Sequence, residues 1–129
     1  MCFTKKNTTN DRVEILLYPF LVCKKEIGHL IIRVYSADDV IQSRIDAFYV
    51  EPKYRNQGYG KKMFKQAIAE LKKLKCDRLI VYPHPEPKEF EKALPYSTLY
   101  NIYEKLGFHF TNDKFDYNKP NEEMVYVFH

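Results

Sequence analysis

The sequence of 129 residues has no tryptophan, only four glycines and only three cysteines. The cysteines, Cys2, Cys23 and Cys76, are odd in number and far apart, and none has CxxC or Cys/His spacing, which argues against a disulfide framework and a zinc site. No apolar run approaches the length of a membrane helix, and the first residues lack the apolar core of a signal peptide. We therefore expect a soluble protein of the reducing cytoplasm, with no metal site and no membrane partner.

The charge excess is too small to indicate a nucleic-acid partner. Lys and Arg number 21 against 17 Asp and Glu, a formal net charge of +4, and these charges are spread along the chain, whereas nucleic-acid-binding domains usually carry a dense basic stripe. Hydrophobic residues make up 45% of the sequence, which is typical of a globular protein. Length and composition together predict one domain over residues 1–129.

The hydrophobic pattern predicts a mixed fold. Residues 1–11 are polar and predict no regular structure, whereas residues 16–35 predict an antiparallel hairpin with a break at Pro19. A strand at 43–50, an amphipathic helix at 61–75 and a strand at 77–82 predict a parallel crossover unit. A proline-rich loop, a short helix that stops at Gly107 and a final hairpin complete the chain. We expect the α/β (α+β) class: a mixed, mostly antiparallel central sheet flanked by helices.

Two of the four glycines, Gly58 and Gly60, lie in the stretch RNQGYGKKM, where a predicted strand gives way to a predicted helix. Glycines at this point allow a tight turn and leave backbone N–H groups accessible at the positive end of the helix dipole. This favours an anion site. A plain turn remains the alternative, because neither GxxxxGK[ST] nor GxGxxG matches.

The longer stretch FYVEPKYRNQGYGKKMFKQAI resembles the acetyl-CoA pyrophosphate motif of the GNAT superfamily of N-acetyltransferases, whose pattern is Arg or Gln, two residues, Gly, one residue, Gly or Ala. A second stretch, YNIYEKLGF, is similar to the segment that ends the last conserved helix of that superfamily. Too few residues precede the central hairpin for the two helices usual in the family, and Tyr96 stands where many members carry Asn. The resemblance therefore implies a GNAT-like fold with a shortened N-terminal part.

The resemblance implies acetyl-CoA as cofactor, held largely by main-chain groups. The expected cofactor-binding residues are the end of the strand, the turn and the start of the helix: Phe48, Tyr49, Val50, Arg55, Asn56, Gln57, Gly58, Tyr59, Gly60 and Lys61. The strand residues would pair with the pantetheine arm, and the turn would hold the pyrophosphate. Lys61 and Lys62 either add positive charge beside the phosphates or simply solvate the helix.

The implied reaction is attack by a neutral amine on the thioester, which releases a CoA thiolate. Tyr103 is the implied proton donor to the thiolate, and core packing is its alternative. For the base, Asp46 shares a strand face with Phe48 by alternation, and its alternative is an ion pair with Arg44. His84, in the proline-rich loop, is the second candidate base. With Glu86 it is also predicted to bind the acceptor amine.

Three functions stay open at this point. The first is acetyl-CoA-dependent N-acetyl transfer to a small-molecule or peptide amine. The second is a CoA-binding module without turnover, and the third is acetylation of a macromolecular amine on a protein or an aminoacyl-RNA. A homodimer also stays open.

Overall fold

The computed structural model describes residues 2–20, 25–85 and 95–128. Within these residues one sheet runs in the order β1-β2-β3-β4-β5-β7-β6, accompanied by two α-helices. The elements are β1 Phe3–Thr8, β2 Arg12–Tyr18, β3 Gly28–Ala37, β4 Val40–Val50, α1 Tyr59–Lys73, β5 Arg78–Val81, α2 Tyr96–Leu106, β6 His109–Phe110 and β7 Met124–Val127. The prediction of a mixed, mostly antiparallel sheet with helices is confirmed. Neither described helix has the length and apolarity needed to cross a membrane.

The parallel crossover is the part of the fold that positions the candidate site. Strand β4 pairs with β3 in antiparallel and with β5 in parallel orientation, and α1 connects the two parallel strands. This confirms the predicted strand, helix and strand unit. Strand β4 begins at Val40 rather than at residue 43, because Asp38 and Asp39 form a tight turn with φ values of 52° and 64°. Two successive positive φ angles are typical of the two-residue hairpin turn that matches strand twist.

The first strand corrects the prediction of an irregular N-terminal segment. Residues Phe3–Thr8 pair with β2 in antiparallel register, from Phe3↔Tyr18 to Thr8↔Val13. Four of the six side chains are exposed, so main-chain hydrogen bonds to β2 hold this edge strand rather than an apolar face. A polar edge strand carries no alternating pattern and was therefore missed.

Both helices lie on one face of the sheet, which we call the inner face. The buried side of α1, which includes Met63, Phe64 and Leu71, packs against alternating buried residues of β2 and β3. The ring of Phe48 lies beside both Gly60 of α1 and Tyr103 of α2. The opposite face, which we call the outer face, carries exposed or half-buried side chains that include Arg33 and Arg44.

Helix α2 ends as predicted at Gly107. This residue caps the helix with φ +108°, a backbone conformation that favours glycine, and a Cβ there would lie 3.0 Å from the Tyr126 ring. The predicted final hairpin is also present, with His109↔Val125 and Phe110↔Met124 as its pairs. In the described residues, the part of the chain before β4 holds strands and no helix, in line with the predicted shortened N-terminal part.

Candidate functional site

A gap opens in the sheet between β4 and β5. Their parallel register runs from Gln42↔Arg78 to Arg44↔Ile80, after which β4 continues to Val50 while β5 stops at Val81. Residues 45–50 of β4 therefore lie beyond the ladder with β5, although β4 still pairs with β3 on its other edge. Such an edge can accept an extended ligand as an additional strand. We call this space the gap.

The turn after β4 brings the start of α1 to the mouth of the gap. Gly58 caps the helix with φ +84°, and Asn56 has φ +61°. A Cβ on Gly58 would meet no heavy atom within 4 Å, so the backbone conformation, not crowding, favours glycine here. Residues 59–62 read YGKK, so the first turn of α1 brings no carboxylate to the positive end of the helix dipole. These features are compatible with the predicted anion site, which stays a prediction.

Arg55 fastens this turn to the end of β4. Its Nε donates a hydrogen bond of 2.7 Å to the carbonyl of Val50, and its guanidinium lies 5.5 Å from the centroid of the Tyr49 ring. Gln57 adds a longer bond of 3.3 Å from its amide nitrogen to the Lys53 carbonyl. Arg55 therefore positions the loop with its side chain, in addition to any contact with a ligand.

The structure brings Tyr103 together with the predicted cofactor-binding strand. Its ring lies 6.3 Å from the ring of Phe48 and 5.4 Å from that of Phe108, each edge to face. Only 8% of the residue is exposed. Tyr103 thus lies at the inner side of the gap, where both packing and proton donation are compatible with its contacts, and its catalytic role stays a prediction.

The structure places Asp46 on a different face from the one predicted. A β-bulge interrupts the register, because Ile32 faces Ile45 while Ile31 already faces Ala47, which leaves Asp46 as the extra residue. Alternation therefore fails at this point, and Asp46 does not share the inner face with Phe48. Its carboxylate accepts two bonds from Arg33, of 2.9 and 3.3 Å. The alternative to that role, an ion pair with Arg44, has the wrong partner, since Asp46 pairs with Arg33.

His84 lies just beyond β5, and the hydrogen bond of its ring indicates which ring nitrogen carries the hydrogen. Its Nδ1 is 2.9 Å from the carbonyl oxygen of Tyr82. A carbonyl can only accept, so Nδ1 carries the hydrogen and the lone pair of the neutral ring is on Nε2. The side chain is exposed. The prediction for Glu86 falls outside the described residues.

Sequence reasoning missed a cluster at the β5 side of the gap. The hydroxyl of Tyr82 donates to the carboxylate of Glu123, and the Arg44 guanidinium lies 4.7 Å from the Tyr82 ring centroid. The hydrogen bond to Glu123, followed by burial, raises the pKa of Tyr82. Tyr82 lies opposite Glu123 because Val81 pairs with Met124, and no local sequence pattern sets this register.

A separate cavity of about 570 Å³ lies at the other end of α1. Its lining includes Asp39, Lys72, Lys75 and Asp77. These residues belong to the β3–β4 turn and the C-terminal end of the helix, so the cavity is remote from Gly58 and the gap. In the described parts of the chain, no three His, Cys, Asp or Glu side chains converge as metal ligands.

Comparison with known proteins identifies similar domains. Residues 17–110 match the model of an acetyltransferase (GNAT) domain. A search of curated protein sequences found no match. Among solved structures, the NatC complex bound to Gag peptide and CoA contains a similar chain, with 18% identity and a TM-score of 0.68 over 90% of this chain and 71% of that one.

Two further structures show the same likeness. The PaiA N-acetyltransferase from Thermoplasma acidophilum, in complex with coenzyme A, is 17% identical with a TM-score of 0.65, over 92% of this chain and 62% of that one. Naa50 from Arabidopsis thaliana, in complex with the bisubstrate analogue CoA-Ac-MVNAL, is 15% identical with a TM-score of 0.62, over 89% and 72%. At these identities the likeness concerns the fold.

Proposed function

Because this chain belongs to the GNAT acetyltransferase family, we propose that it transfers an acetyl group from acetyl-CoA to a primary amine by direct attack on the thioester. The observation that carries the proposal is the gap between β4 and β5, which opens beside a helix start with accessible N–H groups. Both features lie within the residues that the family model matches.

The cofactor would bind along the mouth and the edge of the gap. Backbone N–H groups from Gln57 to Lys61 would hold the pyrophosphate, with Gly58 providing the turn that exposes them. The pantetheine arm would lie against the main chain of residues 48–50, which lies beyond the last pair of the β4–β5 ladder. Support comes from the CoA in the structures of the NatC and PaiA proteins.

The chemistry needs one proton acceptor and one proton donor. The amine nitrogen forms a bond to the thioester carbon and gives its proton to the base, and the C–S bond breaks as the sulfur takes a proton from the Tyr103 hydroxyl. Solvent then returns a proton to the tyrosine. Tyr103 suits the donor role through its contact with Phe48 beside the gap.

For the base, the geometry favours His84 over Asp46. Both oxygens of Asp46 accept bonds from Arg33 on the outer face, away from the inner face that carries Phe48 and Tyr103. His84 has Nδ1 occupied by a carbonyl, which leaves Nε2 as the nitrogen able to take a proton. Asp46 as base stays a prediction without support from its contacts.

The acceptor is either a small-molecule or a peptide amine. Two similar structures contain a peptide or a peptide-derived analogue, which favours a peptide amine. Neither helix of the described residues covers the outer face of the sheet, which would also admit a macromolecular acceptor. We further propose a reducing cytoplasmic setting, since Cys2 and Cys76 are buried free thiols. A homodimer stays untested.

The test is the melting temperature with acetyl-CoA, followed by release of free CoA thiol across a panel of amines. We expect acetyl-CoA to stabilise the protein and at least one primary amine to accelerate thiol release. Stabilisation without any acceleration would favour the CoA-binding module that does not turn over. No stabilisation at a millimolar concentration would refute the proposal.

A further inference from the structure

The cluster at the β5 side of the gap contains a carboxylate that the proposed chemistry does not use. Tyr82 follows directly on β5, and Glu123 precedes β7, so the β5–β7 register brings the two residues opposite each other. The Tyr82 hydroxyl donates to Oε2 of Glu123. Arg44 from β4 reaches across to the Tyr82 ring.

The cluster lies on the outer face, level with the gap. Arg44 is the last residue of β4 that pairs with β5, and its side chain lies on the outer face beside that of Arg33. The contact of Arg44 with Tyr82 therefore spans the point where the two strands separate. Phe48, Tyr103 and the helices occupy the inner face. An acceptor that approaches a thioester in the gap from the outer face would therefore come near the pair of Tyr82 and Glu123.

Glu123 and Asp46 differ in their remaining hydrogen-bonding capacity. A carboxylate has about four acceptor positions, and the described contacts of Glu123 use one oxygen, through Tyr82. In Asp46, both oxygens are bonded to Arg33. The hydrogen bond also keeps Tyr82 a donor, because it raises the pKa of the phenol. Glu123 is thus held in place while part of its carboxylate can still contact a ligand.

We propose that Glu123, positioned by Tyr82, binds the protonated amine of the acceptor at the outer entrance of the gap. This inference rests on the proposed function and adds a substrate-binding residue to it. Alkyl amines are cations at neutral pH and ordinary carboxylates are anions, so an ion pair would hold the acceptor before its proton passes to the base. In this proposal Glu123 acts on amine binding, and the base takes the proton.

Direct binding can be tested without turnover. We would titrate n-butylammonium chloride into the CoA-saturated protein and follow the ring signal of Tyr82 by NMR, assigned with Tyr82→Phe. We expect a saturable shift with a Kd on the order of 10 mM, and no such shift with the neutral analogue n-butanol. The shift should disappear in Glu123→Gln, whose amide oxygen can still accept from Tyr82.

A second glutamate that accepts a hydrogen bond from a tyrosine serves as a matched control. Glu104 also accepts from a tyrosine hydroxyl, that of Tyr117, at 3.1 Å, on the exposed surface of α2. Glu104→Gln should keep the butylammonium shift. An undiminished shift in Glu123→Gln, or no shift at all in the wild-type protein, would overturn the assignment.

Kinetics separate this inference from the proposed function. With an amine found to be acetylated, Glu123→Gln should raise the KM for the amine about tenfold or more, through loss of a charge-assisted bond, while kcat and the KM for acetyl-CoA change little. A fall in kcat at unchanged amine KM would contradict a binding role. Failure of acetyl-CoA to stabilise the wild-type protein would remove the proposed function instead, and the butylammonium titration, repeated without CoA, would still report on Glu123.

Discussion

Two substitutions of Gly58 distinguish the effect of backbone strain from the effect of negative charge at the proposed cofactor site. The φ of +84° at Gly58 strains any other residue, but a Cβ would meet no atom within 4 Å. Gly58→Ala should therefore destabilise the fold through backbone strain alone, by about 1–2 kcal/mol. Gly58→Glu adds the same strain and also places a negative charge beside the proposed phosphate position. In a chain of this length, that strain should lower the melting temperature by about 4–7 °C in both variants.

The response to acetyl-CoA should then differ between the two variants. A ligand at a hundredfold excess over its Kd stabilises the folded state by about 2.7 kcal/mol, which corresponds to a rise of about 10 °C here. We expect Gly58→Ala to retain much of this rise. Gly58→Glu should lose it, because a carboxylate at the positive end of the helix would repel the pyrophosphate and occupy its place.

The assay is differential scanning fluorimetry with and without acetyl-CoA, and Ala69→Glu is the charge control. Ala69 is exposed on the same helix, so this variant adds an equal charge far from the turn and should keep the full rise. Equal ligand-induced rises in Gly58→Glu and the wild-type protein would refute the placement of the pyrophosphate at this helix start.

Three further predictions concern single side chains. Tyr103→Phe should lower kcat at least tenfold while the rise with acetyl-CoA persists, and an unchanged kcat would leave Tyr103 as a packing residue. Asp46→Asn should alter kcat by less than about threefold, because it breaks only an exposed ion pair; a loss of a hundredfold would reinstate Asp46 as the base. For Glu70, hydrogen bonds from Lys73 and then Thr8 lower the pKa, so its contribution to stability is present above the ordinary glutamate pKa and is lost as pH falls through the folded-state value. The drop in melting temperature between neutral and acidic pH should therefore be smaller in Glu70→Gln, and an equal drop would show that these contacts do not stabilise the fold.

The predictable part of the fold is the part with strong periodicity. The helix after Gly58 and the stop at Gly107 follow from local patterns, and the structure contains both within two or three residues of the predicted bounds. Strand β1 was not predicted, because its side chains are mostly exposed and its main-chain hydrogen bonds to β2 impose no hydrophobic pattern on the sequence. Main-chain pairing of this kind depends on a neighbour that is distant from any local window.

In the site too, features set by neighbouring residues were predicted, whereas features set by residues far apart in the sequence were not. The turn at Gly58 follows from the local pattern, and a position of Tyr103 near the cofactor is what the family resemblance implies. The pair of Tyr82 and Glu123, in contrast, joins residues 41 positions apart. That pair depends on the exact register of β5 with β7, which a hairpin prediction does not set.

The bulge at Asp46 has the largest consequence for mechanism. One extra residue in β4 sends the Asp46 carboxylate to Arg33 on the outer face, while Phe48 still faces inward opposite Leu30. Without the bulge, Asp46 and Phe48 would share a face, and the strand would offer its own carboxylate to the inner side of the gap. With the bulge, the inner side of the gap is aromatic, formed by Phe48 and Tyr103, and the carboxylates Asp46 and Glu123 are both on the outer side. Because Arg33 already engages both oxygens of Asp46, Glu123 is the one of these two with an oxygen that the described contacts do not use. On our proposal, the position of a single inserted residue thus moves amine recognition from β4 to the residue before β7.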